Sequence, residues 1–276
     1  MRSLTTRCLA GLVFLGVVAV TAAAPAAAQV VVRPARIEAH VQDGTRLPPI
    51  EVSNRGDGPV RILAYTGFGG HDLRGMPVYR DDPAARAESA RYVRLDAAEV
   101  RLAPGETTFL QATVHVPEGY RGGLYPVLFL EVVPLDPQDV AGVQTVARVA
   151  VIMLLSAGAG EARVYVEDAA VRPGSGGLLE VAVRLRNGGD VHALAGGTVT
   201  IVDASGEAVA RVPLAAATVL PGAARELVAH WQPPRAAVGP YVAMVQVEEP
   251  VPIPPLEIAF TLDPAPALAG AGGAGW

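Results

Sequence analysis

From residue 30 onward the apolar runs are short, five to ten residues each, and proline, glycine, asparagine or aspartate separates them. This punctuation constrains the fold most. An amphipathic helix needs an unbroken periodic stretch of about ten residues or more, whereas a strand needs about four to eight. The 24 prolines are spread along the chain, and 40 residues are valine. A β-branched side chain suits a pleated, half-buried surface. Candidate strands fall at 30–40, 50–53, 60–68, 92–102, 107–116, 124–133 and 144–156, and again at 162–171, 178–186, 197–202, 208–214, 226–231, 241–247 and 256–262. Each half supplies about seven, the strand count of an immunoglobulin-like sandwich. The expected fold is all-β: two immunoglobulin-like β-sandwich domains in tandem.

The turns repeat between the halves. Asn54-Arg55-Gly56-Asp57-Gly58-Pro59 and Asn187-Gly188-Gly189-Asp190 each follow an apolar run, and asparagine and glycine tolerate the positive φ that a reversal uses. Asp203-Ala204-Ser205-Gly206 reads as a hairpin loop. Pro104-Gly105 and Pro221-Gly222 take equivalent places, and a Gly-Tyr strand follows each, at Gly123-Leu124-Tyr125 and Gly239-Pro240-Tyr241. One sandwich type is used twice. The boundary is expected near Gly158-Ala159-Gly160, giving domains over 29–158 and 159–263. Residues 81–90, rich in alanine and charge, form the one segment expected to make a helical turn. Residues 264–276 are alanine, glycine and proline without alternation and read as a flexible tail.

The first 28 residues read as a secretory signal peptide. Arg2 and Arg7 precede an apolar run from Cys8 to Val20, and small residues follow to Ala28. Cleavage there removes two arginines and no acid, taking the formal charge from −5 to −5 − 2 = −7, and it removes Cys8, the single cysteine. The mature chain is expected in the periplasm, or else secreted or at the cell surface, with no disulfide and no membrane anchor. Its stability must come from burial. The chain has no lysine; its 22 basic residues are all arginine and form no block. Nucleic-acid binding is therefore disfavoured.

No set of residues suggests catalysis. His40, His71, His115, His192 and His230 are far apart in sequence and read as strand or loop surface residues; no metal-ligand spacing links them. The Gly67-Phe68-Gly69-Gly70 run lacks the Lys-Ser or Lys-Thr of a phosphate loop, and neither Ser156 nor Ser205 has a nucleophile-elbow setting. No enzyme activity and no cofactor is implied. The informative segment is VQTVARVAVIMLL, residues 143–155. It is apolar on both faces, where a strand with one solvated face should alternate. Either it is a central strand covered on both sides, or its edge pairs with another chain by strand addition.

The order of segments in residues 30–156 resembles the periplasmic pilus-assembly chaperones, the PapD-like family. VVVRPARIEAH looks like the family's first strand, and PIEVSNRGDGPVRILAY like its second and third around an asparagine turn. VRLAPGETTFLQATV is similar to its Pro-Gly turn and next strand, and GGLYPVLFLEVVP and VQTVARVAVIMLL to its last two. The resemblance implies a chaperone that shields an exported subunit with an incomplete β-sandwich, with an outer-membrane usher as a further partner. It implies a donor face of Val143, Thr145, Ala147, Val149 and Val151, and a carboxylate-binding role for Arg36. An arginine can grip a carboxylate bidentately. The family's second basic residue falls near Ile152 here, where none stands; Arg148 lies two alternations away. The competing expectation is a structural or adhesive envelope module that binds through loops such as 67–83.

Overall fold

The computed structural model describes residues 30–135, 146–234 and 237–263. The signal-peptide and tail assignments, and two donor-face residues, Val143 and Thr145, lie outside them.

Twelve strands and one helix make the first sandwich: β1 (Val30–Arg33), β2 (Arg36–Val41), β3 (Ile50–Asn54), β4 (Val60–His71), β5 (Pro77–Arg80), α1 (Pro83–Ser89), β6 (Val93–Leu95), β7 (Glu99–Leu102), β8 (Thr107–Leu110), β9 (Ala112–Val114), β10 (Gly122–Leu124), β11 (Pro126–Pro134) and β12 (Ala147–Ala157). One sheet pairs β1-β3-β8. The facing sheet runs β10-β12-β11-β4-β5, with β2 added on β12 and β7 on β4. A short β6-β9 pair stands apart. The single run expected at 30–40 is divided because the chain changes sheets at Pro34. A proline has no N–H for a ladder, so β1 pairs with β3 on one side and β2 with β12 on the other.

The second sandwich comprises β13 (Val164–Pro173), β14 (Leu179–Asn187), β15 (Ala193–Asp203), β16 (Ala208–Val219), β17 (Ala224–Trp231), β18 (Gly239–Glu249) and β19 (Leu256–Leu262). It pairs β13-β14-β17 against β16-β15-β18-β19. First, second and fifth strands thus face fourth, third, sixth and seventh, an immunoglobulin-type order. The first sandwich has the same plan with extra strands. Each encloses its own core. Ile50, Ile62, Leu102, Leu110, Leu128, Leu130, Met153 and Leu155 are fully buried in the first. Val183, Leu185, Val199, Ile201, Leu214 and Val219 are buried in the second.

The repeated turns turn out to pack on each other. Asn54 ends β3 fully buried, its side-chain amide donating to the Gly58 and Leu102 carbonyls at 2.9 and 3.2 Å and its oxygen accepting from Gly56 N–H at 3.0 Å. The Asn54 carbonyl in turn accepts from Gly105 N–H at 2.9 Å. Asn187 ends β14 in the same way, with Gly222 N–H on its carbonyl at 2.8 Å. Gly105 and Gly222 take positive φ, 77° and 69°, whereas Gly56, Gly58, Gly188 and Gly189 of the asparagine turns, where positive φ was expected, do not. Gly189 is required for a different reason. Its φ is not positive, but a Cβ there would collide with the Glu161 carbonyl and the Arg163 amide, a backbone wall that cannot yield.

Helix α1 forms where a helical turn was expected. Asp82 caps it by accepting from Ala84 and Ala85 N–H at 3.0 and 3.1 Å, and Pro83 opens it. Proline in the first turn forfeits no helical bond. Strand β5 was not foreseen. All four of its residues are exposed, so no alternation marks it; it exists because β4 continues past the core and folds back as a hairpin.

Candidate partner-binding edge and interdomain cleft

The two edges of β12 differ. On one, β11 covers residues 147–152 and β10 covers 155–157, in a single antiparallel register interrupted only around Tyr125. On the other, β2 pairs in parallel from Ile152 to Ala157. Among the described residues no strand pairs with 147–151 on that second edge. The Ile152 N–H donates to the Ala35 carbonyl at 3.0 Å. Backbone groups along a strand point alternately to its two neighbours, so the N–H and C=O of Arg148 and Ala150 face the unpaired side.

The side chains divide by parity. Val151, Met153, Leu155 and Ala157 are buried in the first core, with Val149 half-buried against it and Ala147 exposed. Ala147, Val149 and Val151 therefore share one face and grade from solvent into the core. The opposite face carries Arg148, Ala150, Ile152 and Leu154. From Ile152 onward β12 is a central strand, the first of the two alternatives read in the sequence; over 147–151 its second edge has no neighbouring strand among the described residues.

Arg36 stands on the outer face of β2, directly across from Ile152, 47% exposed in its side chain. It is already engaged. Its guanidinium meets the Glu38 carboxylate at 2.6 Å and donates to the Thr218 hydroxyl of the second sandwich at 3.3 Å. Glu38 continues the chain to His192 Nε2 at 3.1 Å, and His192 Nδ1 lies 3.5 Å from the Tyr125 hydroxyl. His192 corrects the reading of all five histidines as surface residues: its side chain is 10% exposed, covered where the two sandwiches meet. Burial pushes the Tyr125 hydroxyl well above the ordinary phenol range, so it stays protonated.

A second group of contacts comes from the β4–β5 hairpin. The loop 67–83, considered above as a partner-binding loop, places its tip on the second sandwich instead. Glu226 N–H donates to the Leu73 carbonyl at 2.7 Å, Leu220 N–H donates to His71 Nε2 at 3.2 Å, and Gly75 lies against the Arg225 guanidinium. His71 Nδ1 sits 2.9 Å from the Asp72 carbonyl. Both bonds are satisfied only by a neutral imidazole protonated on Nδ1.

The Arg36–Glu38–His192 chain predicts an acid limb. Hydrogen bonding to Arg36 first, and to His192 second, holds the Glu38 carboxyl below its ordinary value of 4.5. A lowered carboxylate pKa contributes stability that is present above 4.5 and lost as pH falls through the lowered value. Denaturation followed against pH should show Glu38→Gln less stable than the parent at neutral pH, with the two curves converging below pH 4.5; curves that stay parallel would contradict the pairing. Glu38 is 55% exposed in its side chain, so the effect is small.

Arg148, considered above as a second cation for the cleft, is held elsewhere. Its guanidinium meets Asp81 at 2.7 Å and lies over the Phe129 ring at 3.9 Å. Arg86 also reaches Asp81, at 3.4 Å, and covers the Tyr65 ring at 3.7 Å. Sequence reasoning missed this cluster, because 67 positions separate Asp81 from Arg148. Among the described residues no three His, Cys, Asp or Glu side chains converge to hold a metal ion, and no helix is long and apolar enough to cross a membrane.

No protein-family model matches the chain, and no curated protein matches it. Solved structures that resemble it include the CsuC–CsuE chaperone–tip adhesion subunit pre-assembly complex of Acinetobacter baumannii, with 14% identity, 84% of this chain and 98% of that chain covered, and a TM-score of 0.42. The SafA pilin–SafB chaperone complex of Salmonella enterica gives 14% identity, 84% and 96% coverage and a TM-score of 0.42. The CupB2 chaperone of Pseudomonas aeruginosa gives 12% identity, 84% and 100% coverage and a TM-score of 0.41.

Proposed function

We propose that this chain is a periplasmic chaperone-like protein that binds an exported subunit with an incomplete β-sandwich and shields it by strand addition along β12. One observation carries the reading: among the described residues no strand pairs with the edge of β12 at 147–151, while its Ala147–Val149–Val151 face grades into the core. Unpaired edges invite pairing with another chain, and folded proteins usually cover them. An added strand would gain main-chain hydrogen bonds from Arg148 and Ala150, while alternate side chains supply apolar contact. Such a strand would end where β2 takes over the edge at Ile152. The donor face then comprises Ala147, Val149 and Val151, extended by Val143 and Thr145 in the preceding segment. In this reading Arg36 meets the client's carboxylate only by exchanging Glu38 for it, and an outer-membrane usher receives the complex.

The test is co-purification of the full chain from a periplasmic extract. Val149→Asp should abolish capture of the client subunit, because a charge on the half-buried face cannot enter an apolar partner. Ala147→Asp, at an exposed position that the fold does not need, should weaken capture without changing the melting temperature. Capture unchanged by both variants would end the strand-addition reading.

A further inference from the structure

We infer that Arg148 is a positioning residue: clamped to Asp81 and seated on Phe129, it holds the unpaired segment of β12 extended and in register for an incoming strand. The inference deepens the strand-addition reading and rests on it for its purpose.

The argument begins with what anchors β12. From Ile152 onward the strand is fixed twice over, by buried core side chains such as Met153 and Leu155 and by strands on both edges. Residues 147–150 have neither. One edge has no partner strand among the described residues, Ala147 is exposed, and Val149 and Ala150 are only half-buried. A strand end with a single neighbour and little buried surface opens readily. Arg148 supplies the missing anchor on the outer face. It reaches over its cross-strand neighbourhood, where it faces Glu131 in the register, onto the Phe129 ring and the Asp81 carboxylate. Asp81 is itself fixed: it lies one residue before the cap of α1, it also pairs with Arg86, and its own carbonyl accepts from Arg86 Nε at 2.6 Å. The clamp thus ties the open strand to α1, which packs on β4 through buried Ala85 and Ser89, the Ser89 hydroxyl donating to the Gly67 carbonyl at 3.0 Å.

The chemistry suits arginine specifically. A guanidinium is planar, so it can stack on a ring and bond a carboxylate at its rim at the same time; an ammonium cannot do both. The side chain points away from the core, while the backbone groups of the same residue face the unpaired edge. One residue therefore presents pairing groups to a partner and holds the strand that carries them. Fixing the segment beforehand lowers the ordering cost an incoming strand would otherwise have to meet.

Site-resolved amide hydrogen exchange on the full chain tests this without any partner. The Ala147 and Val149 amides point toward β11 and should be protected in the parent. Arg148→Ala should raise their exchange about tenfold or more while Met153 and Leu155 are unchanged, the signature of local opening. Asp81→Asn, which leaves Arg148 on its ring, should give the same pattern at smaller amplitude and guards against loss of fold in the first variant. Arg148→Lys should fail to restore parental exchange. Exchange unchanged in Arg148→Ala and Asp81→Asn, or raised uniformly across both sandwiches, would overturn the positioning role. Because these measurements need no client, their failure is separate from failure of the Val149→Asp capture experiment.

Discussion

Asn187→Ala should lower the melting temperature of the second sandwich by about 15 °C or more, from a stability loss of about 3–5 kcal/mol. Asn187 is fully buried. Its amide donates to the Val191 and Val219 carbonyls at 2.8 and 3.0 Å, and its oxygen accepts from the Gly189 and Arg163 N–H groups at 2.9 and 3.1 Å. Alanine removes all four bonds and leaves buried backbone groups without partners, each costing about 1–3 kcal/mol unless water enters. The partners belong to three pieces of chain: the turn after β14, the end of β16 and the approach to β13. One side chain therefore ties the connection from the first sandwich to the corner of the second. Asn54→Ala removes three equivalent bonds from the first sandwich, so its loss should be similar in kind and somewhat smaller. Scanning calorimetry of both variants checks this. A shift under about 5 °C for Asn187→Ala would mean that water replaces the amide without penalty.

These corners were legible in the sequence because asparagine after an apolar run, followed at a fixed distance by Pro-Gly, occurs twice. The repeat reveals shared architecture before any contact is known. The all-β class, and the seven strands of the second sandwich, were legible for a related reason, because short valine-rich runs between breakers suit strands; the first sandwich has twelve strands where about seven were expected, since its runs are divided and an exposed hairpin strand is added. What the sequence does not carry is which strand lies beside which. Residues 143–155 are apolar on both faces, and that pattern alone fits a central strand and an open edge equally well. The structure divides them at Ile152, where the Ala35 carbonyl takes the amide of a strand more than a hundred residues away. Ion pairs are hidden in the same way. Arg36 and Arg148 came into view through the resemblance, yet in the fold each has a carboxylate within 2.7 Å; the Glu38 partner of Arg36 is two residues on, on the same strand face, and was readable, whereas Asp81 is 67 positions from Arg148 and was not. Gly189 shows a subtler gap. Glycine in a turn suggests positive φ, yet here its role is to let the link at Glu161 to Arg163 pass close by, and only packing reveals that.

Phe129→Ala should cost the first sandwich about 3–5 kcal/mol, the usual penalty for emptying a fully buried phenylalanine site. The ring is 0% exposed but does not belong to the inter-sheet core. It lies on the outer face of β11, 5.5 Å from the Tyr65 ring and 5.3 Å from the Tyr79 ring, with Arg148 above. Gly67, a diagonal neighbour on β4, has no room for a Cβ, which would stand 2.6 Å from the Arg80 carbonyl and 2.9 Å from the Phe129 ring. The site is thus walled by rigid groups and cannot collapse fully, which places the cost toward the upper end of the range. Its consequences should spread in a definite order. The melting temperature should fall by about 15 °C or more, and at temperatures where the variant is still folded the Ala147 and Val149 amides should exchange faster, because Arg148 has lost its seat though not its carboxylate. Phe129→Leu refills most of the volume without the ring face, so it should recover most of the stability and little of that local protection. If Phe129→Leu restored both equally, packing alone would hold the open end of β12 and the stacked guanidinium would contribute nothing. If it restores stability alone, the ring has two separable duties: filling the space between Tyr65 and Tyr79 of the β4–β5 hairpin, and aligning the arginine that holds this end of β12 straight.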